Sequence, residues 1–313
     1  MSVLNAPHFH DEEAAYEFVE ARVWPHGRVC PKCGTVDQSG KLQGKSTRIG
    51  TYKCYACRKP FTVKVGTIFE SSHVKLHIWL QAIFLIASSK KGISANQLHR
   101  TLGVTLKTAW FMGHRIREAM RDGKFAGPLG GPDMIVEADE TLIGGKERNK
   151  HVSKRNPKNI GSMGKECAFS LVERGGRVRS FHVASVSAKN LRPILHEQLD
   201  RASTLMSDDA GQYRILGPDF ARHESVNHSI DEYVRGDART NTIEGYFSLL
   251  KRGINGTYHH VSPAHLKRYL AEFDFRYNER VALGVDDQQR ADKLLKGIVG
   301  KRLTYQTTDN QTA

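Results

Sequence analysis

Hydrophobic positions change period several times along the chain. Between residues 73 and 122 they recur at Leu76, Trp79, Leu80 and Ile83, then Leu98, Leu102 and Val104, then Ala109, Met112, Ile116 and Met120. Apolar residues every three or four positions line one face of a helix, so this stretch predicts a helical region. Upstream, residues 26–66 are rich in Gly, Lys and Cys, and the short alternating runs 51–54 and 61–65 predict small strands. The Gly- and Pro-rich cluster at 127–132 reads as a linker, and after it the pattern becomes mixed α/β. There, 134–138 predicts a buried strand ending at Asp139. A hairpin follows over 168–173 and 178–184, turning at Gly175 and Gly176, then a helix over 189–201. A strand over 203–207 closes at Asp208, with a short one at 224–228, and Ile243, Phe247 and Leu250 mark the stripe of a helix over 242–252. Residues 146–165 show no apolar period, hold seven Lys or Arg against one acid, and read as a mobile basic loop.

The chain has 313 residues, 39% hydrophobic and 26% charged, which is the composition of a globular protein and not of a disordered or membrane one. That length predicts two or three domains. Lys and Arg exceed Asp and Glu by 47 to 33, a net charge of +14, which points to a polyanionic partner. The longest apolar stretch, 76–87, is interrupted by His77 and Gln81 and falls short of the ~20 residues a bilayer span needs. The acidic start, with Asp11, Glu12, Glu13 and Glu17, lacks the apolar segment of a secretory signal. A cytoplasmic protein, nucleoid-associated when bound to DNA, is the expectation, and its cysteines then stay reduced.

In that setting closely paired cysteines suggest metal. Cys30 and Cys33, then Cys54 and Cys57, form two C-x2-C pairs twenty residues apart, the spacing of a zinc ribbon. Four thiolates suit one tetrahedral Zn2+ and leave no open position for catalysis, so the ion is expected to be structural. Cys167, unpaired in a predicted strand, reads as a core residue. Within the helical region Ser94 is placed to cap one helix and Gly103 to turn the chain into the next, a helix-turn-helix layout. Its second helix is expected to present Thr105, Lys107 and Thr108 outward and to continue through His114, Arg115 and Arg117 toward a DNA groove. The same layout fits an ordinary helical hairpin with a solvated basic face; the adjacent ribbon and the net charge favour DNA.

Asp139 and Asp208 close two predicted strands, and carboxylates at adjacent strand ends can share a divalent cation. On the predicted helix Asn241, Glu244, Ser248 and Lys251 share a face nearly opposite the apolar stripe. Two Asp and one Glu supply the oxygen ligands that two Mg2+ or Mn2+ ions need for phosphoryl transfer, with Lys251 placed to hold a phosphate. Taken singly, each acid is better read as a turn or surface residue. The succession of strand with Asp, hairpin, helix, strand with Asp and helix with Glu is the ribonuclease H-like arrangement, far harder to obtain by chance. Each acid keeps a neighbour as rival: Glu137 or Glu140 for Asp139, and Asp209 for Asp208.

These residues resemble a known family, the DDE-type transposases of the insertion-sequence 1595 family. The resemblance runs from about Trp24 to Arg280. It rests on the cysteine pairs with Phe61, Gly66 and Thr67, on 91–95, on Asp139-Glu140-Thr141 with 144–146, on Asp208 with Tyr213, on 226–229, on 240–253, on His265-Leu266 and on 272–278. It implies an α/β ribonuclease H-like catalytic domain, metal-dependent cleavage at transposon ends, and transfer of the freed 3′ hydroxyl into target DNA. Asp139 and Asp208 carry over as the first two acids. Asn241 and Glu244 both fit the third; Glu244 is favoured because it precedes Lys251 by seven residues and because an ionised oxygen holds Mg2+ better than an amide. His228 matches a family position and reads as a strand histidine.

The expected organisation is an N-terminal arm (1–25), a zinc ribbon (26–66), a helical helix-turn-helix-like DNA-binding domain (67–126), a linker (127–133), the catalytic domain with a mixed sheet (134–285) and a tail (286–313). Expected DNA contacts are Thr105, Lys107, Thr108 and Arg115 on the helix; Lys146, Arg148, Lys150, Lys154 and Arg155 in the basic loop; and Lys251 and Arg252. Double-stranded DNA, at transposon ends and target, is the expected partner, bound by a homodimer or higher oligomer, with no membrane involved. Two other readings remain: a non-catalytic DNA-binding regulator derived from such an enzyme, against which the intact acids argue, and a host nuclease of the same fold.

Overall fold

The computed structural model describes residues 2–121, 127–145, 147–159, 163–226 and 234–304. The chain forms two compact units, one from Met1–Arg121 with Val281–Ala313 and the other from Asp122–Arg280.

The first unit opens with helix α1 (Glu12–Val23), whose N-cap Asp11 accepts the Ala14 N–H at 2.8 Å. Only Ala15 and Val19 of α1 are fully buried, too sparse a stripe to show in the sequence pattern. Three short antiparallel strands follow, β1 (Ser39–Lys41), β2 (Tyr52–Cys54) and β3 (Pro60–Phe61), in the order β1-β2-β3. Helix α2 (Leu76–Ser88) buries Leu76, Trp79, Leu80, Ile83 and Ile86, as the period predicts, and Glu12 of α1 caps it by accepting the Leu76 N–H at 2.8 Å. Helices α3 (Ala95–Leu102) and α4 (Leu106–Ala119) are joined by three residues. Ser94 caps α3 by accepting the Gln97 N–H, and Gly103 ends it at φ 67°, a left-handed conformation that suits glycine.

The second unit is a five-stranded mixed sheet of β4 (Ile135–Ile143), β5 (Glu166–Glu173), β6 (Val178–Val183), β7 (Thr204–Asp208) and β8 (Arg222–Val226). The order is β6-β5-β4-β7-β8, with β4, β5 and β6 antiparallel and with β7 and β8 parallel to β4. The first three strands thus form a meander and the last two add on the far side of β4, the order that a ribonuclease H-like fold requires. Alternation along the strands feeds two cores. On one face Val136, Ala138, Phe169 and Leu171 pack with Leu191 and Leu195 of α5 (Ala188–Gln198) and Tyr213 and Leu216 of α6 (Gly211–Leu216). On the other, Ile143, Ala168, Val172 and Val178 pack with Ile243, Tyr246, Phe247 and Leu250 of α7 (Asn241–Gly253) and Leu266, Leu270 and Phe273 of α8 (Pro263–Asn278). A π-helical turn, Ile254–Tyr258, continues α7.

Several elements differ from the sequence expectation. β4 runs to Ile143, so Asp139 lies in mid-strand: its polar residues 139–141 pair with Ser170, Phe169 and Ala168 of β5, and this pairing carries the strand past the apolar run. The expected linker belongs to the second unit, where Leu129 is fully buried and its N–H donates to Gln198 O at 2.8 Å. The basic loop is ordered through 147–159, because the Glu147 carboxylate gathers Lys150, the Asn156 N–H and Asn159 around two 3-10 turns. The C-terminal segment is no plain tail. It forms α9 (Asp287–Lys296), opened by an Asp286–Gln289 capping box, and buries Ala291, Leu294 and Leu295 in the first unit.

Candidate active site and metal centre

The carboxylates are brought together by the central strands. β4 and β7 are parallel, with Glu137 level with Met206; two residues further along each strand come Asp139 and Asp208. Asp139 shares its face of β4 with Glu137 and Ile143, the face covered by α7, and Glu244 comes from the first turn of that helix. Burial pushes the Asp139 carboxyl up to about 7. The charges of Glu140, Asp208 and Glu244 push the same way, against the Glu140 N–H that donates to Oδ1 at 2.7 Å. Asp139, Asp208 and Glu244 thus lie near enough to repel one another, and a cation among them would offset both that repulsion and the burial of Asp139.

The rivals to the expected acids are engaged elsewhere. Glu137 is fully buried and accepts from Arg174, Thr242 and the Ile243 N–H. Glu140 accepts from the Tyr213 hydroxyl at 2.7 Å and Gln212 at 3.1 Å, and burial raises its pKa. Asp209 is clamped by both Nε and Nη2 of Arg214 at 2.9 and 2.6 Å, and those hydrogen bonds hold its pKa down. Thr240, buried just before α7, donates its hydroxyl to Glu244 at 3.1 Å instead of capping the helix.

A cleft of about 740 Å3 opens over this strand and helix, lined by Asp139, Glu140, Thr141, Glu244, Phe247, Ser248, Lys251, Arg252, Asn255 and Gly256. Glu244, Ser248, Lys251 and Asn255 follow one another at steps of four, three and four, so acid and base lie along one side of the helix. Asn241 is exposed and does not line the cleft. Carboxylates at one end and Lys251 and Arg252 at the other can hold a cation and a polyanion side by side.

In the first unit the four cysteines converge. Sγ of Cys30 lies 3.8 Å from that of Cys57, Sγ of Cys33 lies 3.7 Å from that of Cys54, and all four are within 4.8 Å of one another. A zinc tetrahedron with Zn–S near 2.3 Å has S···S edges of about 3.8 Å, so the sulfurs stand as one Zn2+ would hold them. The two pairs are built alike. Cys30 N–H donates to Thr35 O and Cys54 N–H to Lys59 O, and the residue after each pair, Gly34 or Arg58, takes positive φ. Trp24, Tyr52 and Phe61 pack edge-on around the cysteines. Among the described residues no other group of three or more Cys, His, Asp or Glu gathers so closely; the acids of the cleft are less tightly drawn together.

The residues expected to touch DNA divide. Thr105 and Lys107 are exposed at the start of α4, where Thr105 is the N-cap and accepts the Thr108 N–H at 3.2 Å. Arg148, Lys150, Lys154 and Arg155 are exposed, and Lys251 and Arg252 border the cleft. Lys146 and His228 lie outside the described residues. Arg115 does not point outward: it is 6% exposed and donates to Ile68 O, Glu70 O and Leu303 O. His114 and Arg117 are buried with it. The guanidinium satisfies carbonyls that burial would otherwise strip of water, and those partners are too distant in sequence for the local pattern to show them. Cys167 is a core residue, as expected.

An α/β domain with acids on its central strand and facing helix, beside bases in one cleft, on a chain that also carries a four-cysteine ribbon, defines the class of zinc-ribbon transposases. Residues 128–278 match the ISXO2-like transposase domain and residues 10–60 the transposase zinc-ribbon domain. The chain belongs to the insertion-sequence 1595 family of transposases. It is 29% identical over 279 residues to an uncharacterized protein in transposable element ISH50 of Halobacterium salinarum, covering 86% of this chain and 91% of that one. Two solved structures are more distant. A chain of the simian T-cell lymphotropic virus intasome, bound to PP2A regulatory subunit B56 gamma, is 15% identical, covers 56% of this chain and 67% of its own, and gives a TM-score of 0.28. The Mos1 strand transfer complex is 14% identical, covers 66% and 77%, and gives 0.23. No described helix is long and apolar enough to cross a membrane.

Proposed function

We propose that the chain binds the terminal inverted repeats of its insertion sequence, cleaves at the transposon ends and joins the freed 3′ hydroxyl to target DNA. The observation that carries this reading is that Asp139 and Asp208 stand level on neighbouring strands, with Asp139 and Glu244 lining a cleft that continues into Lys251 and Arg252. Asp139, Asp208 and Glu244 are the residues that would hold two Mg2+ or Mn2+ ions. Hard oxygen donors fit such ions. Bound there, the ions would activate the attacking oxygen and stabilise the leaving one. Lys251 and Arg252 bind the phosphates of the reacting strand, and Thr240 orients the Glu244 carboxylate.

In this reading the ribbon, folded around one structural Zn2+, and the helix-turn-helix of α3 and α4 hold the transposon end. Thr105, Lys107 and Thr108 start the reading helix, and Arg148, Lys150, Lys154 and Arg155 bind DNA backbone. The protein works as a homodimer or larger assembly, because two ends must be joined, in the cytoplasm and on the nucleoid.

The test is strand transfer of a pre-cut end oligonucleotide into a plasmid with Mg2+ or Mn2+. Asp139→Ala, Asp208→Ala and Glu244→Ala each abolish joining, a loss beyond the ~10–100-fold that removal of an outer partner costs. Asn241→Ala keeps joining at a reduced rate. Loss in Asn241→Ala with activity kept in Glu244→Ala would move the third role to Asn241. End binding without joining would leave a regulator, and cleavage without joining a nuclease.

A further inference from the structure

Glu137 has no role in the reading above, yet it is the most deeply committed acid near the cleft. It is fully buried on β4, two residues before Asp139 and on the same face. Its Oε1 accepts from Arg174 Nε at 2.7 Å and from the Thr242 hydroxyl at 2.9 Å, and its Oε2 accepts the Ile243 N–H at 2.9 Å. Those last two donors belong to the first turn of α7, and Ile243 immediately precedes Glu244.

The first N–H groups of a helix have no partner within it, and a side chain at the N-cap normally supplies one. Thr240, the N-cap of α7, makes no such bond, because its hydroxyl is turned to Glu244. Glu137 supplies the missing acceptor from the neighbouring strand, and its charge lies at the helix end where anions are favoured. Arg174 neutralises that buried charge and ties it onward to Arg239 O at 2.8 Å.

We infer that Glu137 is a positioning residue that fixes the separation of Asp139 and Glu244, by fastening the first turn of α7 to the strand that carries Asp139. This inference rests on the metal-dependent reading of the cleft. A strand step of two residues spans about 7 Å, so Glu137 sets the helix start against the aspartate through one short stretch of rigid backbone. Thr240 then aims the Glu244 carboxylate.

The experiment measures Mn2+ binding to the full-length, zinc-loaded protein by electron paramagnetic resonance, counting only the sites lost in Asp139→Ala. Glu137→Gln keeps the size of the group and an acceptor but loses the charge that pairs with Arg174. It is expected to weaken Mn2+ binding by about 10–100-fold, as loss of an outer partner of a metal site does, with zinc content and affinity for end DNA unchanged. Should Glu137→Gln fail to fold, Thr242→Val removes one donor while leaving the carboxylate paired, and shifts Mn2+ binding in the same direction by less. Tyr246→Phe is the control for general loosening, since it removes buried hydrogen bonds to Asp274 and Ser180 from the same helix. Wild-type Mn2+ affinity in Glu137→Gln, or an equal weakening in Tyr246→Phe, overturns the inference and leaves the reading of the cleft intact. Absence of Asp139-dependent Mn2+ in the wild type overturns both.

Discussion

Asp139 titrates in the folded protein near 7, against 3.8 for the unperturbed side chain, because burial and neighbouring acids disfavour its charge. Between those values the folded state binds the proton and the unfolded state does not, so stability without metal falls as pH rises through that window and the full cost applies above it. Asp139→Asn removes the charge and nearly keeps the shape. In metal-free protein it is expected to raise Tm by several degrees at pH 8, where Asp139 is ionised in both states, and by clearly less at pH 5, where only the unfolded chain has lost the proton. Calorimetry at the two pH values checks this, and an equal shift at both would show that the charge is not the cause. Arg115 and Lys107 make a second pair. Arg115→Ala leaves three carbonyls short of a donor, each such loss costing roughly 1–3 kcal/mol, so it lowers Tm in the absence of DNA. Lys107→Ala leaves Tm unchanged and weakens binding to end DNA, with a smaller salt dependence; a fluorescence anisotropy titration at two salt concentrations reads both. The contrast also marks where sequence stops being legible. The cysteines announce themselves by local spacing, whereas Arg115 and Glu137 are defined by partners 45 to 188 and 37 to 106 positions away.

At the scale of elements, periodicity succeeded where one face is apolar and failed where polar groups are buried in pairs. The stripes of α2 and α7 were readable directly. α8 was not, because Glu272 and Arg276 are buried as an ion pair one turn apart among Leu266, Leu270 and Phe273, and they break the apolar pattern. The strand β4 was read short for the related reason that Asp139, Glu140 and Thr141 are polar yet stay within the sheet. The ribbon yields its own test. Its core is Cys30, Tyr52, Cys54 and Phe61 with Trp24 and Cys57 packed against it, too little to hold three strands of two or three residues each. Structural zinc contributes on the order of 10 kcal/mol, so chelation or Cys54→Ser should release one Zn2+ per chain and collapse the ribbon. Elemental analysis together with tryptophan emission from Trp24 and its neighbours follows it; a ribbon that keeps its emission and its resistance to proteolysis after metal removal would refute the structural role.

At the scale of the whole molecule, the first unit is written in two separate pieces of sequence with the second unit between them. α9 is its closing piece. Arg290 donates to Ala87 O at the end of α2, Asp292 pairs with Arg22 of α1 at 2.7 Å, and Gly300 N–H donates to Gly66 O. Ending the chain after Arg280 removes Leu294, Leu295 and Ile298 from that core. The expected result is two separate thermal transitions, that of the first unit shifted sharply down and that of the second unchanged, with end binding lost. A single unshifted transition would contradict it. Composition and period could not disclose this arrangement, since nothing local in 287–296 says which distant helix it joins.

Chains grow from the ribosome one end first, and domains generally fold as units as they emerge. Here the second unit is complete once residue 280 is free, but the first must wait, with part of its core uncovered, for a segment made after the whole intervening unit. The first unit therefore matures after the second. A chain cut short by a late frameshift would carry every acid of the cleft beside a first unit whose core never closes.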